Sequence, residues 1–226
     1  MNIIEMEAVG KSYVNAEFVT HVLKNITLNI EEGEYVSIIG PSGAGKSTLM
    51  TIMGCLGQPS TGTYRLDGVN VETLNDRSLS QVRNEKIGFV FQAFHLLAGV
   101  TALDNVILPM LYNTTIPRDK EARARAALER VGLGQRLHHT PGQMSGGEQQ
   151  RVTIARSLIN NPKILLADEP TGNLDSKNGV EVMKIFDQLN RDGTSIVLIT
   201  HDSKVARHAR RILTIKDGQI ESDVFS

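Results

Sequence analysis

One stretch of nine residues constrains this chain more than any other: Gly40-Pro41-Ser42-Gly43-Ala44-Gly45-Lys46-Ser47-Thr48. Its spacing is G-x-x-x-x-G-K-S, and its surroundings are those the spacing requires. Residues 34–39 before it are apolar and β-branched and read as a strand, while Lys46 to Met53 after it read as the start of a helix. The glycines let the backbone turn tightly and bring its N–H groups close to an anion. The helix start adds the positive end of its dipole. Lys46 supplies a point charge for β- and γ-phosphates, and the Ser47 hydroxyl is a ligand of the type Mg²⁺ takes. A chain built this way binds a nucleoside triphosphate.

The length of 226 residues allows one substantial core with an inserted subdomain. With 24 Lys+Arg against 25 Asp+Glu there is no electrostatic footprint for nucleic acid. The single cysteine, Cys55, cannot form an internal disulfide, which suits a reducing compartment. The first residues lack the basic region and apolar core of a signal peptide. No apolar run is long enough to span a bilayer, so a membrane role requires a partner.

Around the loop, residues 3–11, 22–30 and 62–68 read as strands of a small, mostly antiparallel sheet. Tyr13 lies among them, an aromatic that either stacks on an adenine ring or fills a strand position. Residues 75–84 read as a surface helix with Leu79 and Val82 inward, and 87–91 as a buried strand ending at Gln92, by itself an ordinary loop residue. Residues 93–109 mix apolar groups with turn signals, and an exposed Phe94–Leu97 patch would mark a partner site. A solvated helix is expected over 117–131, with Pro117 near its start. Ser145 and Glu148 have capping-box spacing at the start of another helix. Gly146 and Gly147 in its first turn are poor helix formers, which makes sense if another chain or ligand approaches the backbone there. Four apolar residues then lead to Asp168 and Glu169, a strand with carboxylates at its C-terminal end, where α/β sheets bind ligands. Asp168 is the candidate for Mg²⁺, and Glu169 the candidate to orient and deprotonate a water. Asn173-Leu174-Asp175 is a turn opening a helix with Val180, Met183, Phe186 and Leu189 on one face. A last buried strand ends at His201, a candidate γ-phosphate contact. A hairpin around Asp217-Gly218 closes the chain. Lys204, Arg207, His208, Arg210 and Arg211 read as a basic, solvated face.

Taken together and in this order, the residues resemble the ATP-binding cassette ATPases over essentially the whole chain. Tyr13 matches the adenine-stacking aromatic, residues 40–47 the phosphate loop, and Gln92 the glutamine loop. Ser145-Gly146-Gly147 matches the signature, here opened by Met144 and followed by Glu148 where Leu and Gln are usual. Residues 164–168, Glu169, the turn at Asp175 and His201 match the acidic strand, the catalytic carboxylate, the D-loop and the switch histidine. The resemblance implies an α/β P-loop NTPase fold: a RecA-like core with a flanking antiparallel sheet (1–91 and 159–226) and an inserted helical subdomain (92–158). It implies ATP as ligand with Mg²⁺ on Ser47, Gln92 and Asp168. It also implies two copies closing head to tail on the nucleotide, and integral membrane permease subunits as partners at the cytoplasmic face of the inner membrane. Gly54-Cys55-Leu56, residues 60–64 and residues 105–110 are similar to the macrolide-exporter and lipoprotein-releasing group. A cell-division-type cassette that gates a partner complex would share nearly every motif, and an excised domain of a longer fused exporter fits as well.

Overall fold

The computed structural model describes residues 1–15 and 18–225. Two sheets carry the chain. Strands β1 (Asn2–Val14), β2 (Val19–Glu31), β4 (Thr61–Leu66) and β5 (Val69–Asn70) form an antiparallel sheet in the order β2-β1-β4-β5. The second sheet has six strands in the order β10-β9-β3-β8-β7-β6. These are β3 (Tyr35–Ile39), β6 (Ile87–Phe91), β7 (Ile164–Asp168), β8 (Ser195–Ile199), β9 (Arg211–Lys216) and β10 (Gln219–Phe225). All neighbours in it are parallel except the closing β9–β10 hairpin. This is the α/β architecture of a P-loop NTPase with a flanking antiparallel sheet.

Burial explains why the parallel strands read as unbroken apolar runs: both faces of the sheet are covered. One face, with Ile38, Leu166, Val197 and Leu213, packs with α1 (Lys46–Met53) and the antiparallel sheet in one apolar cluster. The other, with Leu165, Ala167, Ile196 and Leu198, packs with α3 (Ala102–Ile107), α4 (Lys120–Arg130), α5 (Gly146–Leu158) and α6 (Ser176–Arg191). The parallel strands end together. Phe91, Asp168 and Ile199 are register partners, so the residues that follow them emerge side by side at one edge.

Several local expectations need correction. In α6 the buried face is Val182, Met183, Phe186 and Leu189, while Val180 is exposed, because at about 100° per residue it lies on the side of the helix opposite Leu189. The helix expected from Pro117 starts at Lys120, since its first residues form a turn instead. Within 93–109 a short helix forms, capped by Thr101, whose hydroxyl accepts from Asp104 N–H. Phe94 and Leu96 are half-buried there and only Leu97 is largely exposed. Arg211 leaves the basic surface cluster. It is buried and forks onto Asp223 and Glu34, joining β9 to β10 and to the turn before β3. His208 pairs with Asp187.

Candidate nucleotide site

The loop after β3 owes its path to its glycines. At Gly40 (φ +152°) a Cβ would lie 2.1 Å from Ile215 O on β9, and at Gly45 (φ +103°) it would lie 2.7 Å from the Leu23 side chain on β2. Gly45 caps α1 in the left-handed conformation, and no side chain caps the helix, so the first-turn N–H groups of α1 are without a side-chain acceptor. Gly218 of the closing hairpin donates to Ala44 O and accepts from Lys24 N–H. The loop is thus held between β2 and the last hairpin, a buttress that the Asp217-Gly218 turn signal alone did not reveal. Lys46 folds back to donate to Gly40 O (2.8 Å) and Pro41 O (2.9 Å), which keeps its ammonium over the loop. Ser47 is exposed in the first turn of α1. Tyr13 is half-exposed near the end of β1, with Lys11 Nζ 5.3 Å from its ring centroid; Lys11 pairs with Leu23, which packs on the loop at Gly45.

Beside the loop, β7 delivers two adjacent carboxylates. Burial, and then the charge of Glu169, push the Asp168 pKa up, with Lys46 acting in the opposite direction. Glu169 has a left-handed backbone (φ +46°), a conformation that costs a non-glycine residue about 1 kcal/mol. Its N–H donates to Ile199 O at 2.9 Å, which holds the turn. The side chain lies along the end of β8: Oε2 accepts from Thr200 Oγ1 (3.2 Å) and Oε1 from His201 N–H (2.9 Å). His201 Nδ1 also lies 2.7 Å from Oε1. Loop, carboxylates and histidine therefore share one edge. Hard oxygen donors at Ser47 and Asp168 suit Mg²⁺, which binds through one or two carboxylates plus phosphates and waters. No cluster of three His, Cys, Asp or Glu occurs among the described residues.

Gln92, next to Asp168 by register, is turned another way. Its Nε2 donates to Asn173 Oδ1 (3.2 Å) and its carbonyl accepts from Asn173 Nδ2 (2.9 Å), a reciprocal pair between two loops. The start of α5 forms the expected capping box: Glu148 Oε2 accepts from Ser145 N–H (2.8 Å), and Ser145 Oγ accepts from Glu148 N–H (3.3 Å). Such a cap contributes about 1 kcal/mol. The glycines have a reason inside the chain: a Cβ on Gly147 would lie 2.3 Å from Asn178 Oδ1 on α6, and one on Gly146 would touch Leu174 and Phe94. Asp175 caps α6 by accepting from Asn178 N–H. No hydrogen bond among the described residues links 145–148 to 40–48, so the capped start of α5 is not wired into the chain's own phosphate loop.

Two residues escaped the sequence reading. Gln150 on α5 is fully buried; its Nε2 donates to Pro170 O (2.7 Å) and Phe91 O (3.2 Å), and its Oε1 accepts from Thr153 Oγ1. It ties α5 to the backbone just after Glu169 and just before Gln92. Arg156 donates to His95 O and Phe94 O, pinning the segment after Gln92 to the same helix. A polar residue at an inward helical position was the available signal for Gln150.

A parallel sheet with a glycine loop, adjacent carboxylates and a histidine at its C-terminal edge defines a P-loop nucleotide hydrolase. The family profile described as ABC transporter matches residues 23–172, and the chain belongs to that family. It is an ATP-binding, ATP-hydrolysing cassette. It is 52% identical over 221 residues to the macrolide export ATP-binding/permease protein MacB of Escherichia coli, covering 98% of this chain and 34% of that protein. It is 50% identical over 217 residues to the uncharacterized ABC transporter ATP-binding protein YknY of Bacillus subtilis, covering 96% of this chain and 94% of that protein. The chain thus spans about a third of the length of the MacB relatives it matches. Among solved structures, the dimeric bacterial ABC transporter cassette MJ0796 superimposes with a TM-score of 0.89 at 45% identity over 98% of both chains. The same cassette as a post-hydrolysis dimer bound to ADP and Pi gives 0.89 at 44% identity, again over 98% of both.

Proposed function

We propose that this cassette powers a membrane exporter or lipoprotein-releasing machine of the MacB type, as two copies that close head to tail on ATP. The observation that carries the reading is the pair of separate glycine-rich helix starts. The one at Lys46 carries a phosphate loop and carboxylates. The one at Gly146 is capped by Ser145 and shares no hydrogen bond with the phosphate loop among the described residues. Two copies, each lending its α5 to the other's loop, complete the site. The dimers of the related cassette MJ0796 support this arrangement.

In such a site Tyr13 stacks on the adenine. The backbone N–H groups of 40–48 and Lys46 hold the phosphates, and the partner's Ser145-Gly146-Gly147 turn closes on the γ-phosphate. Ser47 and Asp168 would hold Mg²⁺, which would supply charge that offsets the negative charge of the triphosphate. Gln92 reaches the metal's water shell after exchanging its bonds to Asn173. Glu169, already fixed by Thr200 and His201, takes the proton of the attacking water, and His201 contacts the γ-phosphate. Because such a reaction depends on positioning and electrostatics, completing the site only on closure makes hydrolysis conditional on the closed state.

The motion leaves the cassette through its coupling of loops. Residues 92–158 form the helical subdomain, and Gln150 and Arg156 bind its α5 to the Gln92 loop. Next to that loop lies a groove of about 940 Å³ lined by Leu56, Arg83, Phe89, Phe91, Tyr112 and Arg156, with Leu56 and Tyr112 largely exposed. A cytoplasmic segment of the membrane subunit occupies it, a reading supported by the MacB relatives, whose names join ATP-binding and permease parts in one protein. No helix among the described residues is long and apolar enough to cross a membrane. The cassette then works at the cytoplasmic face of the inner membrane.

The test is solution mass by light scattering of Glu169→Gln with Mg-ATP and with Mg-ADP, alongside hydrolysis by both forms. A dimer with ATP, a monomer with ADP, and turnover at least about 100-fold below wild type are expected for loss of the general base. A variant that hydrolyses at the wild-type rate removes Glu169 from the mechanism. One that stays monomeric with ATP removes the sandwich.

A further inference from the structure

The negative charge at the start of α5 has a partner that sequence spacing did not predict. Glu148 is the third residue of the helix, where a carboxylate satisfies the cap but also subtracts from the positive helix end that a phosphate would meet. Arg136, in the turn between α4 and α5, donates its Nε to Glu148 Oε1 at 3.0 Å, and its Nη1 lies 3.0 Å from His139 Nε2. The turn is itself held: Arg136 N–H donates to Leu133 O, His139 N–H donates to Arg136 O, and Leu133 and Leu137 are buried. The Glu148 side chain is 18% exposed and that of Arg136 is 44% exposed, so the carboxylate is the more shielded partner of the pair.

We infer that Arg136 is a positioning residue of the ATP-bound dimer: it cancels the charge of Glu148 on the face that receives the other copy's triphosphate. The inference rests on the head-to-tail reading above. Glu148 uses one oxygen for the cap and the other for Arg136. Removing the guanidinium therefore leaves the capped helix in place and presents an uncompensated negative charge to a strongly anionic ligand. A half-exposed ion pair of this kind adds little to folding, so its loss is read in closure rather than in melting. Each closed dimer contains the contact twice, which doubles the effect on dimer affinity.

The experiment measures the ATP-dependent dimer dissociation constant of the full chain carrying Glu169→Gln, by sedimentation over a concentration series at low and high salt. Arg136→Ala is expected to weaken the dimer roughly ten-fold at low salt, with the deficit shrinking as salt screens the repulsion. Arg136→Lys keeps the positive charge and most of the affinity. Arg136→Ala combined with Glu148→Gln returns to within about two-fold of the parent, because the neutral amide preserves the cap without the charge. Equal affinity for Arg136→Ala and the parent overturns the inference. So does a double variant as weak as Arg136→Ala, since Arg136 would then act other than through Glu148. A parent that stays monomeric with ATP is a different result: it refutes the sandwich itself, and this inference with it.

Discussion

Replacing Gln150 by Met tests whether the bond between α5 and the catalytic edge is a structural necessity. The two side chains have similar length, so the substitution removes polar bonds with little change in volume. Two acceptors are orphaned. Pro170 O, 2.7 Å from Nε2, lies in a buried bond, and Phe91 O, at 3.2 Å, in a partly buried one. Thr153 is less affected because its hydroxyl also donates to the Gln150 carbonyl, which remains. A buried orphan acceptor costs ~1–3 kcal/mol and a partly wetted one less, which puts the total at about 3 kcal/mol. For a chain of this size each kcal/mol lowers Tm by ~2–4 °C, so the expected drop is about 6–12 °C in a calorimetric scan. Pro170 directly follows Glu169, so ATP turnover should fall more in kcat than in KM. A variant that melts within about 1 °C of wild type with unchanged kcat would show that water or a repacked neighbour satisfies both carbonyls, and would refute the reasoning.

Two further outcomes follow from other parts of the structure. Arg211→Met leaves the largely buried Glu34 and the partly exposed Asp223 without their guanidinium, and should destabilise the chain by about 3 kcal/mol in urea unfolding, as removing one partner of a buried pair does; a loss under about 1 kcal/mol would mean the carboxylates resolvate freely. For Glu148, bonding to the Ser145 backbone first, and then its other contacts including Arg136, hold the pKa below the ordinary 4.5. A carboxylate with a lowered folded-state pKa contributes stability that is present above its unfolded value and lost as pH falls through the folded one. The stability difference between wild type and Glu148→Gln should therefore shift against wild type only below about pH 4.5, and a difference that does not change with acid would remove Glu148 from that titration.

Much of the architecture was legible because local pattern and global fold agree. The buried parallel strands appear as continuous apolar runs, α1 follows its glycine loop, Ser145 and Glu148 announce the α5 cap, and Asp217-Gly218 marks the closing hairpin. The errors came where a tertiary neighbour decides. A strict repeat of three put Val180 on the buried face of α6, but that repeat drifts by about 60° per step against the true helical period, and the face that packs takes Val182 instead. Arg211 read as one more surface cation because nothing local marks Glu34 and Asp223 as its partners, 177 and 12 residues away.

By itself, then, the sequence determined the phosphate loop, the order of the strands' chemistry and the family, since these are carried by short-range patterns: a glycine where the backbone must take a positive φ, a carboxylate where an apolar strand stops. Tertiary structure alone decided how those pieces are electrically and mechanically joined. Gly147 is a glycine because Asn178 occupies the space of its Cβ. Gln92 faces Asn173, Glu169 is fixed by Thr200 and His201, Gln150 bridges α5 to two strand ends, and Arg136 neutralises Glu148. Each of these contacts except the last joins separate elements across 20 to 81 residues, and all depend on side-chain direction and on distances of about 3 Å. No periodicity in a linear pattern encodes such geometry; it exists only once the sheet has brought its strand ends to one edge.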